Sequence, residues 1–179
     1  MAKSISRAVS LCESTLAFGK AEEAAPLLRP VNLGELAEEV AEAEGLAEGA
    51  AVTCLIEVPQ SMILRADSEQ LFRVLSNLIR NARQAIEATG AGGTIEISAT
   101  ETADDWRIRV GDTGPGLPPK AREHLFEAFQ GGARKGGTGL GLAIAAELIR
   151  GHGGSLELAR SDAEGTEFLI HLPKSTGQA

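Results

Sequence analysis

Residues 67–88 constrain the fold of this chain more than any other stretch. From the capping signal Asp67-Ser68 onward, Leu71, Val74, Leu75, Leu78, Ala82 and Ile86 recur at helical spacing along one side. A helix that long and that one-sided cannot bury its stripe alone, so it requires another layer to lie against. Asn77 and Asn81 stand four residues apart. At about 100° per residue they fall on one flank, beside the stripe, with Gln84 on the same flank. The helix therefore presents two carboxamides at the rim of whatever core it covers. An isolated N-x-x-x-N is most often solvated or bonded to local backbone, so the pair gains meaning only from its context.

The surrounding pattern is that of an α/β domain. A helix is expected over about 33–47, through LGELAEEVAEAEG, with strands near 51–57 and 62–65. After the long helix, TIEISA places Ile95 and Ile97 in phase, and DWRIRV places Trp106, Ile108 and Val110 in phase. A period of two marks both as half-buried strands. A short helix over 118–128, a glycine-rich loop, a helix over 139–150 and strands over 155–159 and 165–172 complete the domain. The alternation implies a sheet with helices on one face and water on the other. Upstream, residues 3–18 read as an amphipathic helix through Ile5, Ala8, Val9, Cys12 and Leu16, and Pro26 and Pro30 mark a linker after it. The expected division is 1–30 as the end of a helical segment plus linker, and 31–179 as the domain.

Two glycine-rich segments follow the asparagine helix. DTGPGL (112–117) comes directly after a strand. Asp112 there is an acceptor-only group suited to an exocyclic amine, and Gly114 and Gly116 let the backbone approach a flat ring. Taken alone, DTGPGL is a turn. QGGARKGGTGLGL then runs into the apolar helix LAIAAELI, whose first-turn amides would face any arriving anion. Arg134 and Lys135 either meet phosphate charge or are solvated. The spacing is neither a Walker loop nor a Rossmann fingerprint, and a disordered linker is the competing reading. An asparagine oxygen is a neutral hard donor suited to Mg²⁺ that takes its remaining ligands from water and phosphates. The ordered trio thus supplies a metal ligand, an adenine acceptor and a phosphate cradle.

Composition narrows the alternatives. Net charge is −8, which disfavours non-specific attraction to nucleic acid or anionic membrane but leaves room for a nucleotide in a local field. Cys12 and Cys54 lack metal-knuckle spacing, and Cys54, inside VTCLIEV, reads as a buried free thiol. His124, His152 and His171 form no triad and no metal pair, and GHGG reads as a helix C-terminal cap. With no signal peptide and no spanning segment in view, a cytoplasmic domain is expected, with a parent that could be membrane-anchored.

These motifs in this order resemble the catalytic and ATP-binding domain of bacterial two-component sensor histidine kinases, within the gyrase, chaperone, kinase and mismatch-repair ATPase superfamily. LFRVLSNLIRNARQAI is similar to the family's N box, DTGPGL to its first glycine box and LFEAF to its phenylalanine box. GGTGLGLAIAAELIRGHGGSLEL is similar to the second glycine box with its helix and strand, and EGTEFLIHLP to the closing strand. The resemblance covers about 65–173. It implies an α+β two-layer sandwich of Bergerat type, a mixed sheet with helices on one face. It implies ATP and Mg²⁺ as ligands, Asn81 on the metal, Asn77 on the phosphate side and Asp112, Gly114 and Gly116 at the adenine. Gly137, Thr138, Gly139, Leu140, Gly141 and Leu142 would form the lid hinge against the phosphates, with Thr166 near the adenine pocket.

Hydrolysing members of the superfamily, and the anti-sigma-factor serine kinases, generally carry a glutamate where this chain has Asn77. An amide cannot act as a carboxylate base, which favours transfer to a histidine. No H box is present, so the resemblance implies a phosphoacceptor on a histidine-containing dimerisation domain upstream in a longer parent or on another chain. Residues 1–30 resemble the end of that domain and its linker. A homodimer in the full-length protein and a cognate response regulator are implied in turn. A non-catalytic nucleotide-sensing adaptor of the same fold, or a related ATPase or serine kinase, are the alternative functions.

Overall fold

The structure is a computed structural model describing residues 24–46, 50–128 and 139–174. The expected 3–18 helix and Cys12 lie outside the described residues. Strand β1 (Arg29–Asn32) leads into helix α1 (Leu33–Ala43), whose N-cap Asn32 accepts from the Gly34 and Glu35 amides. The helix stops short of the expected 47. Gly45, at φ 74°, reverses the chain, and the Gly45 and Leu46 amides bond back to the Glu42 and Ala41 carbonyls.

Strands β2 (Val52–Glu57) and β3 (Ile63–Ala66) precede helix α2 (Ser68–Glu87). Asp67 caps α2 as expected, its side chain accepting from the Glu69 and Gln70 amides. Strands β4 (Gly93–Glu101) and β5 (Asp105–Asp112) follow, then the short helix α3 (Pro119–Glu123), helix α4 (Gly141–Gly151), and strands β6 (Ser155–Asp162) and β7 (Gly165–Pro173). Helix α3 is shorter than the expected 118–128. The chain turns at His124 and seats Phe126 edge-on against Phe168, ring centroids 6.4 Å apart.

The main sheet has five strands in the order β2-β4-β5-β7-β6, with β2 parallel to β4 and the other pairs antiparallel. This is the expected mixed sheet of an α+β sandwich. The β3 segment, together with β1, forms a separate two-stranded antiparallel sheet. Arg29 and Pro30, expected as linker, thus pair as strand, and among the described residues β1 pairs with no second strand that would need the proline's missing N–H.

Helix α2 is the keystone. Leu71, Val74, Leu75, Leu78, Ile79 and Ile86 are essentially excluded from water and share one buried cluster with Ile95, Ile97, Ile108 and Ile170 of the sheet. Each such side chain contributes roughly 1.5–3 kcal/mol when fully buried. The opposite sheet face is polar, as expected, and carries the Arg109–Glu167 ion pair at 2.6 Å. Cys54 is a half-buried free thiol whose pKa burial pushes up to about 11, so it stays protonated and unreactive. No helix among the described residues is long and apolar enough to cross a membrane.

Candidate functional site

Helix α2 places its Asn77–Asn81 row against two other elements. At one end, Gly141 opens α4 so close to Asn77 that a Cβ there would lie 3.2 Å from the Asn77 Oδ1. At the other end, Ala85 continues the row by one more turn and touches the DTGPGL loop. A Cβ on Gly114 would lie 3.1 Å from the Ala85 Cβ. The row therefore runs about 12 Å, from the start of α4 to the end of β5. Asn77 and Asn81 are both half-buried, and among the described residues neither carboxamide takes a hydrogen-bond partner.

The far end of the row is built around Asp112, the last residue of β5, which is 8% exposed. Its neighbours across the sheet are Ile95 of β4 and Thr166 of β7, the latter buried as well. One carboxylate oxygen accepts the Gly114 amide at 2.8 Å, which fixes the side chain inside its own loop. Gly165 lets the start of β7 lie over Asp112: a Cβ there would sit 1.8 Å from the Asp112 carbonyl oxygen. Gly116 has φ 73°, and its Cβ would sit 2.1 Å from the carbonyl oxygen of Asp162. Only glycine meets both demands at that position.

A bulge fixes this arrangement. Leu158 pairs with Phe168 but Arg160 with Glu167, leaving Ala159 as an extra residue in β6. The slip moves Ser161 onto the face of Leu158, where its hydroxyl accepts the Leu117 amide at 2.7 Å. Ser161, Gly165 and Ala85 are site-building residues that motif reading does not reveal. The only sequence trace of the bulge is the lost alternation after Leu158.

The near end is the start of α4. Gly139 has φ 71°, and Leu140, the N-cap, offers no side-chain cap. Among the described residues no side chain accepts from the Gly141, Leu142 or Ala143 amides, the arrangement that suits an anion. Leu140 is fully buried and Leu142 packs against the core, so these two contribute backbone to the site and anchor it with their side chains. Gly137, Thr138, Arg134 and Lys135 lie outside the described residues.

The three histidines stay out of the site. His124 pairs with Glu127 at 3.0 Å on the surface, and the Glu127 carboxylate raises its pKa. His171 lies 3.7 Å from Asp105 on the wet face. His152 caps α4 in the expected turn, with Gly153 at φ 77°. No cluster of three or more His, Cys, Asp or Glu side chains able to hold a metal occurs among the described residues. A cation here would rest on a carboxamide and on the ligand's own oxygens. The residues fit a nucleotide: a buried acid at one end, an uncapped helix start at the other, and unpartnered amides between.

Known proteins resemble this chain in sequence and in fold. The family model described as "Histidine kinase-, DNA gyrase B-, and HSP90-like ATPase" matches residues 66–176. Sensor protein DivL of Caulobacter vibrioides is 35% identical over 125 residues, 69% of this chain and 16% of that protein. Sensor histidine kinase RppB of a Synechocystis species is 44% identical over 112 residues, 60% of this chain and 24% of that protein. The chain thus spans a quarter or less of the length of both relatives. Among solved structures, full-length ShkA in complex with AMPPNP superposes with a TM-score of 0.80 at 31% identity, covering 99% of this chain and 38% of that one. Histidine kinase ThkA in complex with response regulator protein TrrA superposes with a TM-score of 0.74 at 28% identity, covering 99% and 50%.

Proposed function

This chain belongs to the histidine kinase-, DNA gyrase B- and HSP90-like ATPase family as the ATP-binding catalytic domain of a sensor histidine kinase, and from that premise we propose that its site holds Mg-ATP for transfer of the γ-phosphoryl group to a histidine outside these 179 residues. The observation that carries the reading is the Asn77–Asn81 row, without hydrogen-bond partners among the described residues, running from the uncapped start of α4 to buried Asp112.

Asp112 would accept from the adenine amine, with Gly114 and Gly116 leaving room for the ring and Thr166 closing the pocket beside it. Asn81 would hold Mg²⁺ through its amide oxygen, and Asn77 would orient the phosphates against the amides of Gly141 and Leu142. Gly137 and Thr138 would extend that cradle, with Gly139 and Leu140 setting its hinge. When bound, Mg²⁺ supplies neutralisation of the phosphate charge. The chain's own contribution is positioning, since a histidine acceptor is already a competent nucleophile and needs no carboxylate base where Asn77 stands. The acceptor would lie on a histidine-containing dimerisation domain in the cytoplasm, in a homodimeric parent that passes the phosphoryl group to a response regulator. ThkA's complex with TrrA supports that partner class.

The test mixes this chain with a separate helical hairpin carrying an H box and with ATP radiolabelled at the γ position. Acid-labile, base-stable label on the hairpin histidine is expected. Steady phosphate release without an acceptor, or nucleotide binding with no transfer to any hairpin, would contradict the reading.

A further inference from the structure

The chain runs into the domain as an extended strap, residues 24–28, held by α2 before any strand forms. The Leu27 amide donates to Asp67 Oδ2 at 3.0 Å, and the Gln70 amide nitrogen donates to the Ala24 carbonyl at 2.9 Å. Leu28 lines a cleft with Arg65, His152, Leu172, Pro173 and Lys174. Asp67 is also the N-cap of α2, using its other oxygen for the Glu69 and Gln70 amides.

His152 ties this corner to α4. The residue is 3% exposed; Nε2 accepts the Asp67 amide at 3.0 Å, so Nδ1 carries the proton and donates to the Leu148 carbonyl at 2.8 Å. The start of α2 is thereby bonded to the end of α4. Halfway along α2, Asn77 abuts Gly141, the first residue of α4. The strap's anchor and the phosphate end of the site thus bound the stretch over which α4 lies along the first half of α2.

We propose that the strap is an allosteric latch: docked on Asp67 and Gln70 it locks α2 against α4 in the register that binds nucleotide, and released it weakens that binding. This inference rests on the nucleotide reading of the site. The latch has two states, docked and released. Among the described residues it is held by two side-chain hydrogen bonds and the seat of Leu28 in its cleft, and Ala24, Ala25 and Leu27 are exposed, so release is accessible without unfolding. Coupling is reciprocal: if docking favours nucleotide, nucleotide must favour docking.

Asp67→Asn separates the two roles of Asp67. The asparagine oxygen still caps α2, but its NH₂ faces the Leu27 N–H and cannot accept from it. Gln70→Met removes the other strap bond at similar volume and leaves the cap untouched. Using the full chain, amide exchange at Leu27 is followed with and without Mg-AMPPNP, and Mg-AMPPNP affinity is measured by calorimetry. Slower Leu27 exchange on adding Mg-AMPPNP is expected, with affinity about fivefold or more weaker in each variant and α2 amides still protected. Unchanged Leu27 exchange, with both variants binding as tightly as wild type, would overturn the latch while leaving the nucleotide site standing. No binding by the wild-type chain would overturn the site reading and the latch with it. Should Asp67→Asn unravel α2, Gln70→Met decides alone.

Discussion

Helix α2 carries two polar rows one residue apart, and they behave in opposite ways. Ser76 and Arg80 form one row, and both bond to Glu44 at the C-terminal end of α1: the Ser76 hydroxyl donates to Oε1, and Arg80 Nη2 reaches the same oxygen at 2.8 Å. Arg83 adds a bond to the Glu44 backbone carbonyl. Asn77 and Asn81 form the other row, rotated by about 100°, and take no partner among the described residues. Spacing is identical in both. The saturated row fastens two helices together, and the open row is the one proposed to meet the ligand. Function is therefore read from which polar groups the fold leaves unsatisfied.

The comparison breaks most visibly at the open row. Asn81→Ala or Asp112→Asn should lower phosphoryl transfer to the hairpin by on the order of 100-fold or more, the scale seen when one preorganised polar contact is lost. The melting temperature of Asn81→Ala should move little, because among the described residues Asn81 has no partner to lose. An inactive variant that melts far below wild type would place these residues in the scaffold instead.

The saturated row should answer in the opposite sense. Glu44→Ala removes the acceptor of the buried Ser76 hydroxyl, which keeps only the Arg80 contact, and breaks the Arg80 ion pair, and should cost about 1–3 kcal/mol. In a domain of this size that is a fall of roughly 2–10 °C in thermal melting. Mg-AMPPNP affinity at saturating folded fraction should stay as in wild type.

The Asp67 corner sharpens the contrast through pH. Partial burial works to raise the Asp67 pKa, but the Leu27, Gln70 and Glu69 amides outweigh it and hold it below its ordinary value. The unfolded chain then takes up the proton first as pH falls. Asp67 stabilises the fold fully above the ordinary carboxylate range, and that contribution is lost as pH drops through its lowered value. Asp67→Asn should flatten this acid limb of the stability curve, measured by denaturant titration between neutral and acid pH. An acid limb of unchanged steepness would count against the cap geometry. The smallest effect belongs to the wet sheet face. Arg109→Ala breaks an exposed pair with Glu167 and should change stability by no more than about 1 kcal/mol in the same titration.

Much of this was legible in the sequence, for physical reasons that also explain the rest. The stripe from Leu71 to Ile86 and the alternation in β4 and β5 are local periodicities, so they survive reading one residue at a time. Asp67 announces α2 because a cap acts within three residues. The rows on α2 could not be told apart, because Glu44 lies 32 residues from Ser76 and only the folded chain joins them. Gly45 ended α1 inside a stretch that otherwise keeps helical composition. Pro30 hid β1, since a proline forbids a central strand but not an edge. The bulge at Ala159 left almost no pattern, yet it sets where Ser161 holds the DTGPGL loop.

Everything rests on the open row binding a metal-nucleotide complex, and calorimetry addresses that directly. AMPPNP is titrated into wild type and Asn81→Ala, each with and without Mg²⁺. Magnesium should tighten binding in wild type and lose most of that effect in Asn81→Ala, while metal-free binding through Asp112 stays similar in both. Equal magnesium enhancement in the two proteins, or none in wild type, would contradict the assignment.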